Sequence, residues 1–300
     1  MSRAPRSDVA LDPDAILALL TEPMGRWAGA APDVCRAELM KQNNRRLVVR
    51  YDLGPNHPAL VGKWFSTDRG KTVEDALRVL RAHGFAGPKV AVPAPVAYFP
   101  ELRALFVEAV DGALLREILS IDQRAAALAG GWLAAFHRSP LHSPRSCGHE
   151  KQVRAVHRWT RPADALAASA ERLATALDAL DDPELPVHYD YYHSQVLMPP
   201  DGPTVVVDLD EAGRGDPAFD VAHFEAHLEL LALQWSGDPE AFAAACAAFR
   251  AGYGSDIPEP APALYAFAWF KLAHQLLARN APASESSYAL AAVERSLSAA

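Results

Sequence analysis

The chain has 300 residues, half of them apolar and 22% charged, which fits a globular protein of one large domain or two lobes. Its formal net charge of −8 argues against nucleic acid as a partner, because phosphate backbones are bound through clusters of Lys and Arg. The three cysteines show neither a disulfide framework nor metal-ligand spacing, and no uncharged run approaches the roughly 20 residues that cross a bilayer, so we expect a cytoplasmic protein without a membrane segment.

The first 110 residues predict a small region built mainly from strands. A helix is expected first, because Asp12 precedes a proline and a helical spacing of leucines. Alternating apolar residues then predict strands, and a second amphipathic helix interrupts them. The expected elements are a helix over 12–21, strands over 35–41, 46–53 and 60–65, a helix over 73–83, and strands over 96–98 and 105–110.

Residues 111–300 predict a larger and mainly helical region. A long helix is expected over 121–137, with Leu128, Trp132, Ala135 and Phe136 facing a core. A loop over 141–150 and a short helix or loop over 153–159 follow it. Further helices are expected over 162–180, after Asp216-Pro217, and over 240–251, 261–277 and 284–298. The pattern as a whole predicts an α+β protein.

Between these helices lies the stretch that carries the chemistry, Pro186–Phe224. It contains a loop with Asp190, a short apolar strand after Gln195, the turn sequence PPDGP, and a β-branched return strand that ends at Asp208. Pairing the two strands is expected to bring Gln195 close to Asp208, with Asp190 beside them. Oxygen ligands suit Mg²⁺ together with bound phosphates, and the remaining carboxylate can accept a proton from an attacking hydroxyl.

These residues resemble the aminoglycoside phosphotransferase and choline kinase-like family. That family carries the pattern H-x-D-x-x-x-x-N, then a strand ending in Asp, then G-D-P-x-x-D. Here the pattern is matched by His188 and Asp190, by Gln195 in place of Asn, by Asp208, and by the segment Gly215–Asp220. The resemblance implies a bilobal protein kinase-like fold, with a β-rich nucleotide-binding lobe over 1–110 and a helical catalytic and substrate-binding lobe over 111–300.

The resemblance also implies an activity, namely transfer of the γ-phosphate of ATP or GTP to a hydroxyl of a small molecule. Asp190 is then the catalytic base, and Gln195 and Asp208 hold Mg²⁺. For the nucleotide, the resemblance implies that Lys63 holds the α and β phosphates and pairs with Glu74, although the adjacent Asp75 is also a candidate partner. It implies further that backbone groups from Glu108 to Val110 bond the adenine edge.

Several neighbouring residues are expected to support the site. His188 is expected to brace the loop, Asp216 to cap its helix or fix a turn, and Asp220 to bond the backbone of the catalytic loop. His137 is expected to pack or cap a helix. Two side chains stay open: His193 faces either substrate or solvent, and Asp210 is a possible second metal ligand.

Two departures from the family pattern keep other functions open. The turn at residues 42–45 has no glycine with which to approach phosphates closely, and Gln195 replaces Asn, so an inactive pseudokinase or binding module is the alternative. A third reading takes His188, Asp190, His193 and Asp208 as a metallohydrolase cluster. The acceptor is an antibiotic, a sugar, an amino alcohol or another hydroxylated metabolite, and the sequence predicts no oligomeric state.

Overall fold

A computed structural model describes residues 7–160 and 164–299. The chain is α+β, as expected, and divides into two compact units. The first unit contains the described residues up to Gly112 together with Pro199–Asp210, and the second contains Ala113–Met198 and the chain from Glu211 onward. The expected division into 1–110 and 111–300 places residues 199–210 in the helical region, whereas the structure groups this segment with the first unit.

The N-terminal stretch folds into helices and strands close to the expected ones. Its helices are α1 (Ser7–Ala10), α2 (Pro13–Ala28) and α3 (Arg69–Ala82), and its strands are β1 (Arg36–Gln42), β2 (Arg46–Asp52), β3 (Leu60–Phe65), β4 (Val90–Ala91), β5 (Pro95–Phe99) and β6 (Ala104–Glu108). Asp12 caps α2 by accepting the N–H groups of Asp14 and Ala15. The expected end of this helix at Thr21 is wrong, because Pro23 is buried inside the helix rather than terminating it.

The remaining stretch is mainly helical, as expected. Its strands are β7 (Ala113–Leu114), β8 (Leu185–Val187), β9 (Val196–Met198), β10 (Thr204–Val206) and β11 (Gly213–Gly215), and its helices are α4 (Leu115–Leu119), α5 (Ala126–His137), α6 (His149–Thr160), α7 (Ala167–Asp178), α8 (Ala218–Ser236), α9 (Ala243–Tyr253), α10 (Pro262–Ala278) and α11 (Ala283–Ser298). Both strands of the predicted hairpin form, as β9 and β10.

The first unit is organised by an antiparallel sheet in the order β1-β2-β3-β6-β5. Alternation along β2 buries Leu47, Val49 and Tyr51 in a core shared with α2, whereas Arg46 points to the opposite face. Lys63 lies opposite Val48 in the β2–β3 register and is on that same opposite face. The sheet therefore places two cations together, away from the aromatic core.

A second, smaller pairing brings the late segment into the first unit. Strand β10 runs parallel to β4, with Thr204 opposite Val90 and Val205 opposite Ala91. Asp208 follows this strand and has a left-handed backbone, with φ of 65°. The pairing thus fixes the position of Asp208 within the first unit.

The second unit is built around α8 and α10, whose aromatic residues fill its core. Phe219 and Phe267, for example, have ring centroids 5.4 Å apart. Helices α5 and α9 approach so closely that a Cβ at Gly130 would lie 2.0 Å from the Phe249 carbonyl oxygen. Glycine is therefore required where these two helices touch.

Three expectations for the helical region differ from the structure. The helix expected from Ile121 begins only at Ala126, because Asp122 caps a short 3₁₀ turn and Ile121 is exposed. Leu128 does not face the core; its side chain is exposed, although Trp132 and Phe136 are fully buried. The helix expected from Pro162 begins at Ala167, and Pro162 itself lies outside the described residues.

Among the residues that the structure describes, no helix is both long and apolar enough to cross a membrane. The cytoplasmic location expected from the sequence stays a prediction.

Candidate active site

The loop that carries Asp190 follows β8, and Asp220 holds this loop through hydrogen bonds to its backbone. This fully buried carboxylate on the first turn of α8 accepts the backbone N–H of His188 at 2.7 Å and of Tyr189 at 2.8 Å. His137 lies 3.1 Å from the same carboxylate. Burial acts to raise the pKa of Asp220, but His137 and then His188 outweigh it and lower the pKa below its ordinary value. An ionised Asp220 thus ties the loop to α8.

The residue before Asp190 has an unusual backbone. Tyr189 has φ of 67°, a left-handed conformation that costs an L-residue about 1–2 kcal/mol. The centroid of its buried ring lies 5.0 Å from the centroid of the Phe219 ring. The Nζ atom of Lys151 lies over the Tyr189 ring, 3.8 Å from its centroid. These contacts hold the strained residue in place, and so they also fix the direction in which the chain enters Asp190.

Asp190 is held by a lysine that the sequence analysis did not single out. The Nζ atom of Lys271, on α10, donates to Asp190 Oδ1 at 2.9 Å and to the Tyr189 carbonyl oxygen at 3.0 Å, and lies 2.7 Å from Nε2 of His223. An ammonium has three N–H donors, so these contacts use all of them.

The second oxygen of Asp190 is in a different position. Within the described residues, Oδ2 makes no hydrogen bond, and 29% of the side chain is exposed. Burial acts to raise the pKa of Asp190, but Lys271 and then His223 lower it well below the usual value. The loop therefore presents an ionised carboxylate with one anchored oxygen and one oxygen available to accept a hydroxyl proton.

A signal for Lys271 was present in the sequence. It is the one residue of the Asp, Glu, Lys and Arg group in the apolar helix Pro262–Ala278. A charge buried in such a helix is costly unless it is paired, so it points to a partner elsewhere in the chain. The identity of that partner, Asp190, could not be read from the pattern.

A group of aromatic and imidazole rings lies beside Lys271. The ring of His227 stacks on the rings of Tyr192 and His223, with centroid distances of 4.3 and 4.6 Å. The ring of His193 contacts that of His227 edge-on, with a centroid distance of 5.8 Å. Burial lowers the pKa of His193 to about 3, so its ring is neutral. Because His193 is buried, the open alternative that it simply faces solvent is wrong.

Gln195 lies in the second unit, at the end of a 3₁₀ turn over His193–Gln195. Its backbone N–H donates to the Tyr192 carbonyl oxygen at 2.9 Å, and its side chain is buried. Among the described residues no hydrogen bond engages its side-chain amide. The amide oxygen that the sequence analysis assigned to a metal is thus not committed to a structural contact.

In the first unit, four charged side chains form a compact cluster, which we call the unit-one charge cluster: Arg46, Lys63, Asp208 and Asp210. Arg46 donates through Nη1 and Nη2 to the two oxygens of Asp208 at 2.7 and 3.2 Å, and it also contacts Asp210. Lys63 Nζ donates to Asp208 at 2.9 Å and to Asp210 at 2.7 Å. Both carboxylates therefore converge on the same cations.

The two carboxylates of this cluster differ in their affinity for protons. Burial acts to raise the pKa of Asp208, but Lys63 and Arg46 outweigh it, so Asp208 stays ionised. For Asp210 burial dominates, and its pKa is raised. Oxygens that converge on an ammonium can also converge on a small divalent cation, because Mg²⁺ prefers carboxylate ligands. The donor set of Asp208 and Asp210 therefore fits Mg²⁺, and it includes the residue that the sequence analysis left open.

Glu74 has other partners than the expected Lys63. It lies on α3, where Lys71 contacts it at 3.1 Å and Arg78 at 2.8 Å. Lys63 is occupied instead by Asp208 and Asp210, so the structure does not show the Lys63–Glu74 pair. The neighbouring candidate Asp75 also contacts Lys71.

The residues expected to bond the adenine edge lie at the end of strand β6 and directly after it. Glu108 is bonded to Ala94 through its backbone N–H at 2.8 Å, and the N–H of Ala109 donates to the Ala59 carbonyl oxygen. Among the described residues, the backbone of Val110 makes no hydrogen bond. Glu108 and Val110 also line a cavity of about 500 Å³ in this unit. Adenine binding by these residues stays a prediction.

The other supporting residues have structural contacts. The ring of His188 is fully buried and lies 5.5 Å from that of Tyr191. Asp216 accepts the backbone N–H of Ala218 at 2.9 Å, at the start of α8. His137 bonds the hydroxyl of Tyr253 at 2.9 Å as well as Asp220, so it packs between helices rather than facing a reactant.

The metallohydrolase alternative has no support from the geometry. Across residues 7–160 and 164–299, no group of three or more His, Cys, Asp or Glu side chains is arranged to hold a metal ion. His188 is instead packed against aromatic rings of the second unit.

Comparison with solved structures shows the same fold in several small-molecule kinases. One is the aminoglycoside phosphotransferase APH(4)-Ia in a ternary complex with AMP-PNP and hygromycin B (14% identity, 93% of this chain and 97% of that chain, TM-score 0.61). Another is the choline kinase LicA from Streptococcus pneumoniae (12%, 95% and 99%, TM-score 0.63). A third is an ethanolamine kinase from Plasmodium vivax (12%, 95% and 89%, TM-score 0.62).

No curated protein sequence matches the chain. The model of the phosphotransferase enzyme family matches residues 44–267, which is most of the chain and includes Lys63, Asp208 and the loop that carries Asp190. The chain therefore belongs to the phosphotransferase enzyme family, whose kinase-type fold it shares.

Proposed function

We propose that this phosphotransferase moves the γ-phosphate of ATP to a hydroxyl group of a small molecule, with Asp190 as the catalytic base. The observation that carries the proposal is the state of Asp190, whose carboxylate is ionised, anchored by Lys271 through Oδ1, and unbonded at Oδ2 among the described residues. A carboxylate held in this way can orient an acceptor hydroxyl and take its proton.

Lys63, Gln195 and Asp208 are proposed to serve the donor. Lys63 binds phosphate oxygens, and Gln195 and Asp208 hold Mg²⁺, with Asp210 as a further carboxylate ligand. When bound, the ion neutralises the phosphate charge that develops during transfer. The AMP-PNP in the aminoglycoside phosphotransferase complex supports an adenine nucleotide as donor, and the comparisons give no support for GTP.

The acceptor is proposed to be a hydroxylated small molecule. The names of the similar structures suggest three acceptor classes for a first screen, namely hygromycin B-like aminoglycosides, choline and ethanolamine. Sugars complete the panel. Release of ADP reports turnover with any of them, and the acceptor that gives the highest rate identifies the substrate class.

The decisive test compares Asp190→Asn with Asp201→Asn, which changes an exposed aspartate in the turn before β10. We expect Asp190→Asn to bind Mg·ATP as the native protein does but to lose turnover by about 10²–10⁴-fold, the usual contribution of a general base. Asp201→Asn should keep its activity. Turnover that survives in Asp190→Asn would show that the base has been misassigned.

The same measurements address the pseudokinase alternative. One observation favours it: both oxygens of Asp208 are engaged by cations, so the expected metal ligand is not free. A native protein that binds Mg·ATP but releases no ADP with any acceptor on the panel would support a binding role.

A further inference from the structure

The unit-one charge cluster leaves no carboxylate oxygen of Asp208 unoccupied. Arg46 binds both oxygens through its two terminal nitrogens, at 2.7 and 3.2 Å, and Lys63 adds a second contact to Oδ1 at 2.9 Å. The side chains are largely buried, with 16% of Arg46 and 19% of Asp208 exposed. Two cations and two carboxylates balance, so the formal charge of the cluster is zero when both acids are ionised.

Local structure holds Arg46 in this position. The side-chain oxygen of Asn43 accepts the backbone N–H groups of Arg45 and Arg46, both at 2.9 Å. The backbone N–H of Asn43 donates to the Arg46 carbonyl oxygen. Arg46 is then the first residue of β2 and pairs with Phe65. The glycine-free turn thus ends on an arginine that points at Asp208, whereas the adjacent Arg45 is exposed.

We propose that Arg46 is a ligand for the phosphate tail of the nucleotide and that, without nucleotide, it is the counter-ion that occupies the metal-binding oxygens of Asp208. This inference rests on the proposed function. A planar guanidinium binds carboxylate and phosphate in the same two-point manner, so Arg46 can exchange one partner for the other. The exchange frees Oδ2 of Asp208, while Lys63 keeps its contact with Oδ1 and every charge keeps a partner.

The arrangement makes binding of the nucleotide and of the metal interdependent. Mg²⁺ alone has to displace Arg46 from Asp208, which leaves the largely buried guanidinium with only Asp210 as a carboxylate partner among the described residues and brings a second cation close to it. Both effects are unfavourable. The phosphates supply the acceptor that replaces Asp208. Each ligand should therefore increase the affinity of the other by the same factor. Arg46 also supplies phosphate contacts that the turn, having no glycine, is less suited to make through its backbone.

The test is a calorimetric titration of three proteins: native, Arg46→Gln and the matched control Arg45→Gln. Each is titrated with MgCl₂ alone, with ATP in EDTA, and with Mg·ATP. Arg46→Gln removes one positive charge and frees Oδ2 of Asp208, so we expect it to bind Mg²⁺ alone more tightly than the native protein does, by about 5–150-fold. It should bind metal-free ATP more weakly. Arg45→Gln should match the native protein in all three titrations.

The outcomes separate this inference from the proposed function. Equal affinities of Arg46→Gln and Arg45→Gln for Mg²⁺ and for metal-free ATP would overturn the role of Arg46 and leave the proposed function intact. A native protein that binds no nucleotide would overturn both. If Arg46→Gln does not fold, Arg46→Lys keeps the charge without the two-point contact. That variant should still bind metal-free ATP more weakly than Arg45→Gln, and an unchanged affinity would contradict the proposal.

Discussion

Replacing Lys271 by methionine keeps an unbranched apolar side chain but removes the terminal ammonium, with its charge and its three N–H donors. Asp190 then loses its contact at 2.9 Å, and the Tyr189 carbonyl oxygen loses its contact at 3.0 Å. Breaking a buried ion pair costs about 3–5 kcal/mol, because the remaining charge is unpaired. Since 29% of the Asp190 side chain is exposed, we expect a value near the lower limit at pH 8.

The pH dependence is the sharper part of this prediction. In the native protein the pKa of Asp190 is depressed, so its contribution to stability is present above the unfolded pKa and is lost only as the pH falls toward the folded pKa. Without Lys271, only His223 opposes the effect of burial, so we expect the pKa of Asp190 to rise above its unfolded value. The folded variant then binds a proton that the unfolded chain releases, so its unfolding free energy should decrease by up to about 1.4 kcal/mol per pH unit as the pH rises through the new pKa.

Urea unfolding at pH 6, 7 and 8 measures this slope. The double variant Lys271→Met/Asp190→Asn is the control, because it has no titratable group at position 190 and should show no extra slope. The acid limb of turnover should also move toward neutral pH in the single variant. If the unfolding free energy of Lys271→Met runs parallel to that of the native protein from pH 6 to 8, then Lys271 does not keep Asp190 ionised.

Two further predictions concern stability. Gly130→Ala should destabilise the protein by several kcal/mol in urea unfolding, because its Cβ would lie 2.0 Å from the Phe249 carbonyl oxygen. In the matched control Gly131→Ala, the added Cβ meets no atom closer than 3.5 Å. This control should be neutral or stabilising by about 0.5–1 kcal/mol. Equal effects of the two would contradict the close approach of α5 and α9. His227→Phe should keep the ring stack. Its unfolding free energy should decrease less steeply than that of the native protein as the pH falls below about 6.5, because burial lowers the pKa of His227 and the native ring gains a proton on unfolding. An unchanged acid slope would show that His227 is protonated in the folded state.

Local patterns were sufficient to predict much of the fold. The alternation of apolar residues located β2 and β3, and the turn sequence before Thr204 located β9 and β10. The helices after Asp216 were also found, although their ends shifted by a few residues. Each of these elements depends mainly on residues adjacent in the chain, so a single sequence contains the information.

The contacts of the candidate site were less predictable. Lys271 is 81 positions from Asp190, and Arg46 is 162 positions from Asp208. Nothing in a local pattern specifies which distant carboxylate pairs with a given cation. Leu128 shows the same limit, because helical spacing marks an apolar position but does not show that neighbouring elements cover it.

The return of residues 199–210 to the first unit has a practical consequence for dissecting the protein. A fragment that stops at Gly112 would retain Lys63 and Arg46 but lack both aspartates that neutralise them, and β4 would lose its partner strand. Such a fragment would carry two unbalanced cations on one face of its sheet. Isolating the first unit therefore requires a linker that joins Gly112 to Pro199.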